Sequence, residues 1–173
     1  MSDNIIEFQQ INMAFGKKEI LNDVSFAVQK GETLAVIGPS GSGKSTILRL
    51  LIGLLEPTGG KILINGQDVS LFDEDHWNSL RQKMGMVFQY SALFDFLSVG
   101  ENVAFGLRQH TELSEAEIQK VVAERLEQVG LPDTQAAYPA ELSGGMKKRV
   151  SLARATALQP EIVLYDEPTA GLD

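Results

Sequence analysis

The chain contains no cysteine. This excludes a disulfide framework and any cysteine-based metal site. Positive charge is also scarce: 15 Lys and Arg against 23 Asp and Glu give a formal charge of -8. Proteins that coat nucleic acid hold the phosphate backbone with surplus Lys and Arg, so this balance argues against that class while leaving room for a nucleotide site. Long apolar runs are missing as well. The densest, Ile47 to Leu55, is interrupted by Arg49 and falls short of the roughly 20 residues a spanning helix needs. The start, Met1-Ser2-Asp3-Asn4, lacks the basic and apolar regions of a signal peptide. The expectation is a cytoplasmic protein with no direct membrane span, whose association with a membrane runs through a partner. There is no internal repeat, low-complexity segment or linker dividing the chain. At 173 residues with 43% hydrophobic content, one large globular domain can bury a substantial core.

The most informative stretch is Gly38-Pro39-Ser40-Gly41-Ser42-Gly43-Lys44-Ser45-Thr46, entered from Leu34-Ala35-Val36-Ile37 and left through Ile47 to Leu55. Four apolar residues ending at a glycine predict a buried parallel strand, and the dense apolar residues after Thr46 predict a buried helix. The pattern G-x-x-x-x-G-K-[ST] is complete between strand and helix. Polyphosphate needs many donors at close range, and glycines let backbone N–H groups turn inward without an obstructing Cβ. The helix N-terminus adds the positive end of its dipole. Lys44 is placed to reach the β- and γ-phosphates, Ser45 to ligate Mg²⁺, and Thr46 to support the α-phosphate region. An incidental Gly/Ser-rich turn is the weaker reading.

Ahead of this loop, Ile5, Phe8 and Ile11 open a strand, Phe15 to Glu19 reads as a turn, and Val24 to Val28 as a second strand. Asp23 and Gln29 to Glu32 read as turn residues. The result is an antiparallel β flank. Phe15 is placed where an aromatic could stack on an adenine ring, or else in the hairpin core. Gly53 and Glu56 to Gly60 end the central helix. Lys61 to Ile64 with Asn65-Gly66 predicts a strand and tight turn, Asp75 to Lys83 a short helix, and Met84 to Phe88 a buried strand that delivers Gln89. In open α/β sheets, ligands bind at that end of the strands.

From Ser98 to Leu158 the pattern is helical, with Ser114 and Glu117 forming a capping box and Gly130 and Pro132 a stop. Leu93, Phe94, Phe96 and Leu97 are either core at the start of this insert or a docking surface. Ser143-Gly144-Gly145 opens a further helix, with Ser143 as N-cap. It is either a plain cap or a second anion site. Ile162 to Tyr165 predicts a buried strand ending in Asp166 and Glu167. Asp166 at that tip can hold a Mg²⁺-bound water and Glu167 can polarise an attacking water.

In this order, Gly38 to Thr46, Gln89, Leu142 to Met146, Ile162 to Glu167 and Ala170 to Asp173 resemble the ATP-binding subunit of an ABC transporter over nearly the whole chain. The phosphate loop (Walker A) alone occurs in many NTPases; the ordered set with Ser143-Gly144-Gly145 is specific. The resemblance implies an α/β P-loop NTPase core with antiparallel β flank and α-helical subdomain, truncated at the C-terminus. It implies one ABC domain over 1–173, with 1–97 and 159–173 forming the RecA-like core and β flank and 98–158 the helical subdomain.

The implied cofactors are ATP and Mg²⁺. The implied roles are adenine stacking for Phe15, the phosphate cradle for Gly38, Pro39, Ser40, Gly41, Ser42, Gly43 and Thr46, and the phosphate clamp for Lys44. Ser45 and Gln89 are metal ligands, Asp166 the Walker B acid, Glu167 the general base and Asp173 the D-loop aspartate. The implied partners are a second copy, joined head to tail so that Ser143, Gly144 and Gly145 bind the γ-phosphate held by the other copy, and an integral membrane permease at the cytoplasmic face of the inner membrane.

Tyr90 to Asp95, Met146 in place of the commoner glutamine, and Tyr165 to Asp173 look like the ATPases of Mla/Mce-type phospholipid transporters. The family's switch histidine would lie beyond Asp173, since His76 and His110 fall in the wrong region. The expectation is therefore that the 173 residues alone sustain little hydrolysis. A soluble conformational-switch ATPase remains as an alternative, although such proteins usually carry two cassettes and one Walker A is present. A non-hydrolytic nucleotide-binding module is a third reading, opposed by the intact Glu167.

Overall fold

The computed structural model describes residues 3–167. The chain forms two compact units, Met1–Asn78 and Ser79–Asp173.

The first unit is built on a long hairpin, β1 (Asn4–Phe15) and β2 (Lys18–Gln29), continued by β3 (Gly59–Ile64) and β4 (Gln67–Asp68) in the antiparallel order β2-β1-β3-β4. Alternation along β1 buries Ile6, Phe8, Ile11 and Met13, and Phe8 stacks on Phe26 of the paired strand with centroids 4.5 Å apart. Asp23 is not a turn. It sits inside β2 with φ 49°, and its N–H donates to Asn12 Oδ1 at 3.0 Å. A bulge takes up the left-handed residue while the ladder continues on either side. The β3–β4 link is the expected tight turn, with Asn65 and Gly66 at φ 50° and 75°, the two positive values a type I′ turn requires.

A further expectation for this unit is corrected. Leu34 to Ile37 form no strand, and Leu34, Val36 and Ile37 are 45%, 45% and 94% exposed. No ladder among the described residues reaches them, and a run of apolar residues becomes a strand only when a neighbour takes its backbone groups. The central helix, α1 (Lys44–Leu51), closes at Gly53, where the sequence placed a stop. The Leu54 N–H bonds the Arg49 carbonyl and the Gly53 N–H the Leu50 carbonyl, with Gly53 at φ 70°. This Schellman closure leaves Leu54 outside the helix and exposed. Helix α2 (Glu74–Gln82) follows close to its expected bounds.

In the second unit, β5 (Met84–Val87) and β6 (Ile162–Tyr165) pair in parallel. Gly85 lies where an added Cβ would overlap the Ala155 carbonyl oxygen, which explains the glycine in this strand. Three helices, α3 (Val99–His110), α4 (Glu115–Gln128) and α5 (Gly144–Thr156), share one core that includes Val103, Leu107, Val122, Leu126, Val150 and Ala153. Ser114 and Glu117 form the expected capping box, and Ser98 with Glu101 forms another at the start of α3. Gly130, at φ 68°, closes α4.

Candidate functional site

The phosphate loop begins with a turn in which the Ser42 N–H donates to the Pro39 carbonyl at 3.2 Å. Gly41 and Gly43 hold φ values of 80° and 94°, a region that costs a side-chain-bearing residue roughly 1 kcal/mol or more. Gly43 is the more constrained, because a Cβ there would lie 2.7 Å from Leu21 Cδ2. The loop thus rests on the β hairpin and runs directly into α1. Lys44 Nζ donates to the Gly38 carbonyl at 3.0 Å and the Pro39 carbonyl at 3.1 Å. Its ammonium is folded over the loop on two neutral acceptors that phosphate oxygens can replace, since anionic acceptors make the stronger bond. Ser45 and Thr46 lie in the first helical turn, half-buried. Phe15 ends β1 opposite Lys18 and is 50% exposed, so it is not a hairpin-core residue.

In the second unit the parallel register sets Val87 against Tyr165. Gln89 and the Asp166-Glu167 pair therefore leave the sheet at one end. The Asp166 N–H extends the ladder to the Val87 carbonyl at 3.0 Å. Gln89 Nε2 donates to Glu167 Oε2 at 2.8 Å, joining residues 78 positions apart. The amide nitrogen is thereby committed to the carboxylate, and Oε1 is the atom left for a cation. The Gln89 amide oxygen and Asp166 carboxylate in this unit, and the Ser45 hydroxyl in the first, are each hard oxygen donors, the kind that suits Mg²⁺ and not a soft metal.

At the start of α5, Ser143 accepts from the Met146 N–H at 3.2 Å. The cap is real, and Gly144, where a Cβ would meet nothing within 4 Å, leaves the helix start open to an approaching group. Asp173 lies outside the described residues.

Some local features were passed over in the sequence. Asn102 is fully buried and bonds the backbone of Phe94, Leu97 and Ser98. The Ser98-x-x-Glu101 pattern that starts its helix was there to be found. Arg154, on α5, bonds the carbonyls of Ser91 and Ala92. Nothing local signals that reach.

A glycine-shaped phosphate loop opening a helix, and an acidic pair at the end of a parallel strand, define a P-loop nucleotide-binding protein. The comparison with known families narrows this: the family model "ABC transporter" matches residues 21–170, and the chain belongs to that family. It is 48% identical to Protein TRIGALACTOSYLDIACYLGLYCEROL 3, chloroplastic, of Arabidopsis thaliana, over 99% of this chain and 52% of that protein. It is 43% identical to the intermembrane phospholipid transport system ATP-binding protein MlaF of Haemophilus influenzae, over 100% of this chain and 66% of MlaF. The chain therefore spans between half and two thirds of the length of these relatives. Among solved structures, the ATP-binding cassette MJ0796, a dimer in a post-hydrolysis state bound to ADP and Pi, superposes with a TM-score of 0.87 at 34% identity, covering 97% of this chain and 76% of that one.

Proposed function

We propose that this chain is the ATP-binding and ATP-hydrolysing part of an ABC transporter subunit that powers phospholipid movement through a membrane permease by closure of a head-to-tail dimer. The observation that carries the reading is the 2.8 Å bond between Gln89 and Glu167. An amide oxygen beside a carboxylate at the end of a parallel strand pair supports the reading of Gln89 as a metal ligand and Glu167 as the base.

In this reading the glycine-rich loop receives the phosphates through its N–H groups, and Lys44 exchanges its carbonyl partners for phosphate oxygens. Phe15 offers a flat face to the adenine. Ser45, Gln89 and Asp166 would hold Mg²⁺, which would supply neutralisation of the phosphate charge. Glu167 orients the attacking water and accepts its proton. Ser143, Gly144 and Gly145 contact the γ-phosphate bound by the second copy, and Asp173 serves in the D-loop. The domain reading follows: one ABC domain over 1–173, with 98–158 as its helical part.

Membrane attachment at the cytoplasmic face would come through the permease, because no helix among the described residues is long and apolar enough to cross a membrane. Phospholipid as the cargo is supported by the likeness to MlaF and by Tyr90 to Asp95 and Met146. The test uses the full-length protein. Nucleotide titration should show binding that Lys44→Ala greatly weakens, and purification of the complex from native membranes should bring down a permease with bound phospholipid. Tight binding in Lys44→Ala, or a permease carrying no lipid, would contradict the corresponding part.

A further inference from the structure

Between Gln89 and the start of α3 the backbone does something costly. Ser91 and Ala92, neither of them glycine, hold φ values of 64° and 46°. Non-glycine residues are rare in this region and persist only where the surroundings impose them. The imposing group is visible. Arg154, on α5, donates Nη1 to the Ala92 carbonyl at 2.8 Å and Nη2 to the Ser91 carbonyl at 3.2 Å. Its guanidinium also lies over the Phe94 ring, 5.7 Å from the centroid. Phe94 is fixed in turn by Phe105, with centroids 4.8 Å apart, and by backbone bonds to Asn102.

We infer that Arg154 is a positioning residue for Gln89: by clamping the Ser91 and Ala92 carbonyls to α5, it fixes where the Gln89 amide stands relative to Glu167. The segment is then held from both sides. Glu167 takes the Gln89 side chain, and Arg154 holds the backbone two and three residues later. The chemistry of the clamp is specific. A guanidinium presents two N–H donors in a fixed fork and can hold two successive carbonyls at once, which a lysine ammonium does with less geometric control. The cost is also visible, since burial lowers the Arg154 pKa below its ordinary value. Among the described residues its partners are carbonyls and an aromatic face, so the charge is spent on holding backbone. Because α5 begins at Ser143 and Gly144, the same helix that carries the second anion site also carries the clamp. A shift of α5 along its axis would be transmitted to Gln89 through one side chain.

The inference rests on the proposed hydrolytic role of Gln89 and Glu167. Its test is a double-variant cycle in the full-length protein. Arg154→Gln should lower kcat by about 10- to 100-fold, the range typical of residues that orient a ligand-bearing side chain. It should also raise the Mg²⁺ concentration needed for half-maximal turnover, leave ATP affinity within about twofold, and speed amide exchange of Tyr90 to Leu93. Arg154→Lys should recover part of the rate. Combined with Gln89→Ala, Arg154→Gln should add no further loss, because its effect passes through Gln89. Losses that multiply in the double variant would overturn the inference, as would an unchanged kcat in Arg154→Gln. Should Arg154→Gln fail to fold, the same cycle with Arg154→Lys decides between the same two outcomes. A parent protein without turnover would instead contradict the proposed function, while the exchange measurement still reports whether Arg154 holds the segment.

Discussion

Asn102 shows how much a single polar side chain can organise. Itself fully buried, it accepts from the Phe94 N–H at 2.8 Å and donates to the carbonyls of Phe94, Leu97 and Ser98 at 3.0 to 3.1 Å. Truncation would take this partner from the part-buried Phe94 N–H and Leu97 carbonyl, while the Phe94 and Ser98 carbonyls keep backbone donors, and each lost partner costs about 1–3 kcal/mol. Asn102→Ala should therefore lower the unfolding free energy by about 2–3 kcal/mol, read as a shift of the urea midpoint with little change in slope. A shift within experimental error would mean that water replaces the amide. The sequence offers little warning of such a residue, because an asparagine in the first turn of a helix is ordinarily solvent-facing. Arg154 is hidden for a related reason: its acceptors lie 62 and 63 positions away, and no local period reports a tertiary partner.

Among the elements, legibility follows the range of the forces. The turn at Asn65-Gly66 and the cap at Ser143 depend on residues within a few positions, and both stand where the sequence placed them. The stop at Gly53 is local too, whereas the strand expected at Leu34 to Ile37 depends on a neighbour. The tie between α3 and α4 is again tertiary. Arg108 donates Nη2 to Glu115 Oε1 at 2.7 Å and Nε to Glu115 Oε2 at 3.1 Å. This fork, with a further bond from Gln119, holds the Glu115 carboxyl at about 2, below the ordinary 4.5. A depressed folded-state value contributes stability above the unfolded value, and that contribution is lost as pH falls from about 4.5 toward 2. Arg108→Gln should return the Glu115 titration toward its ordinary 4.5, measured by carboxyl-carbon NMR, and flatten the pH dependence of stability in that window. Because the pair is exposed, stability at neutral pH should change little. A Glu115 titration that stays near 2 in the variant would show that Gln119 and the helix start hold it instead.

At the scale of the molecule, the candidate docking cluster after Gln89 divides. Phe94 is half-buried between Phe105 and Arg154, whereas Phe96 and Tyr90 are 77% and 86% exposed. In the proposed transporter, these exposed aromatics would be the surface offered to the permease. Phe96→Asp should abolish co-purification with the permease while leaving ATP affinity intact, since the phosphate loop lies in the other unit. Retained co-purification would move the docking surface elsewhere.

The central claim is that Glu167 is the base of an ATP-hydrolysing site, and the measurement closest to it is single-turnover hydrolysis of prebound MgATP by the full-length protein. Separating chemistry from binding in this way removes the contribution of Lys44 and the loop to affinity. Glu167→Gln keeps the size of the side chain and its reach to Gln89 while removing the basic carboxylate, so bound ATP should persist uncleaved, with a rate at least about 100-fold below the parent, in keeping with the loss of a general base. Cleavage of prebound ATP at the parental rate in Glu167→Gln would contradict the account.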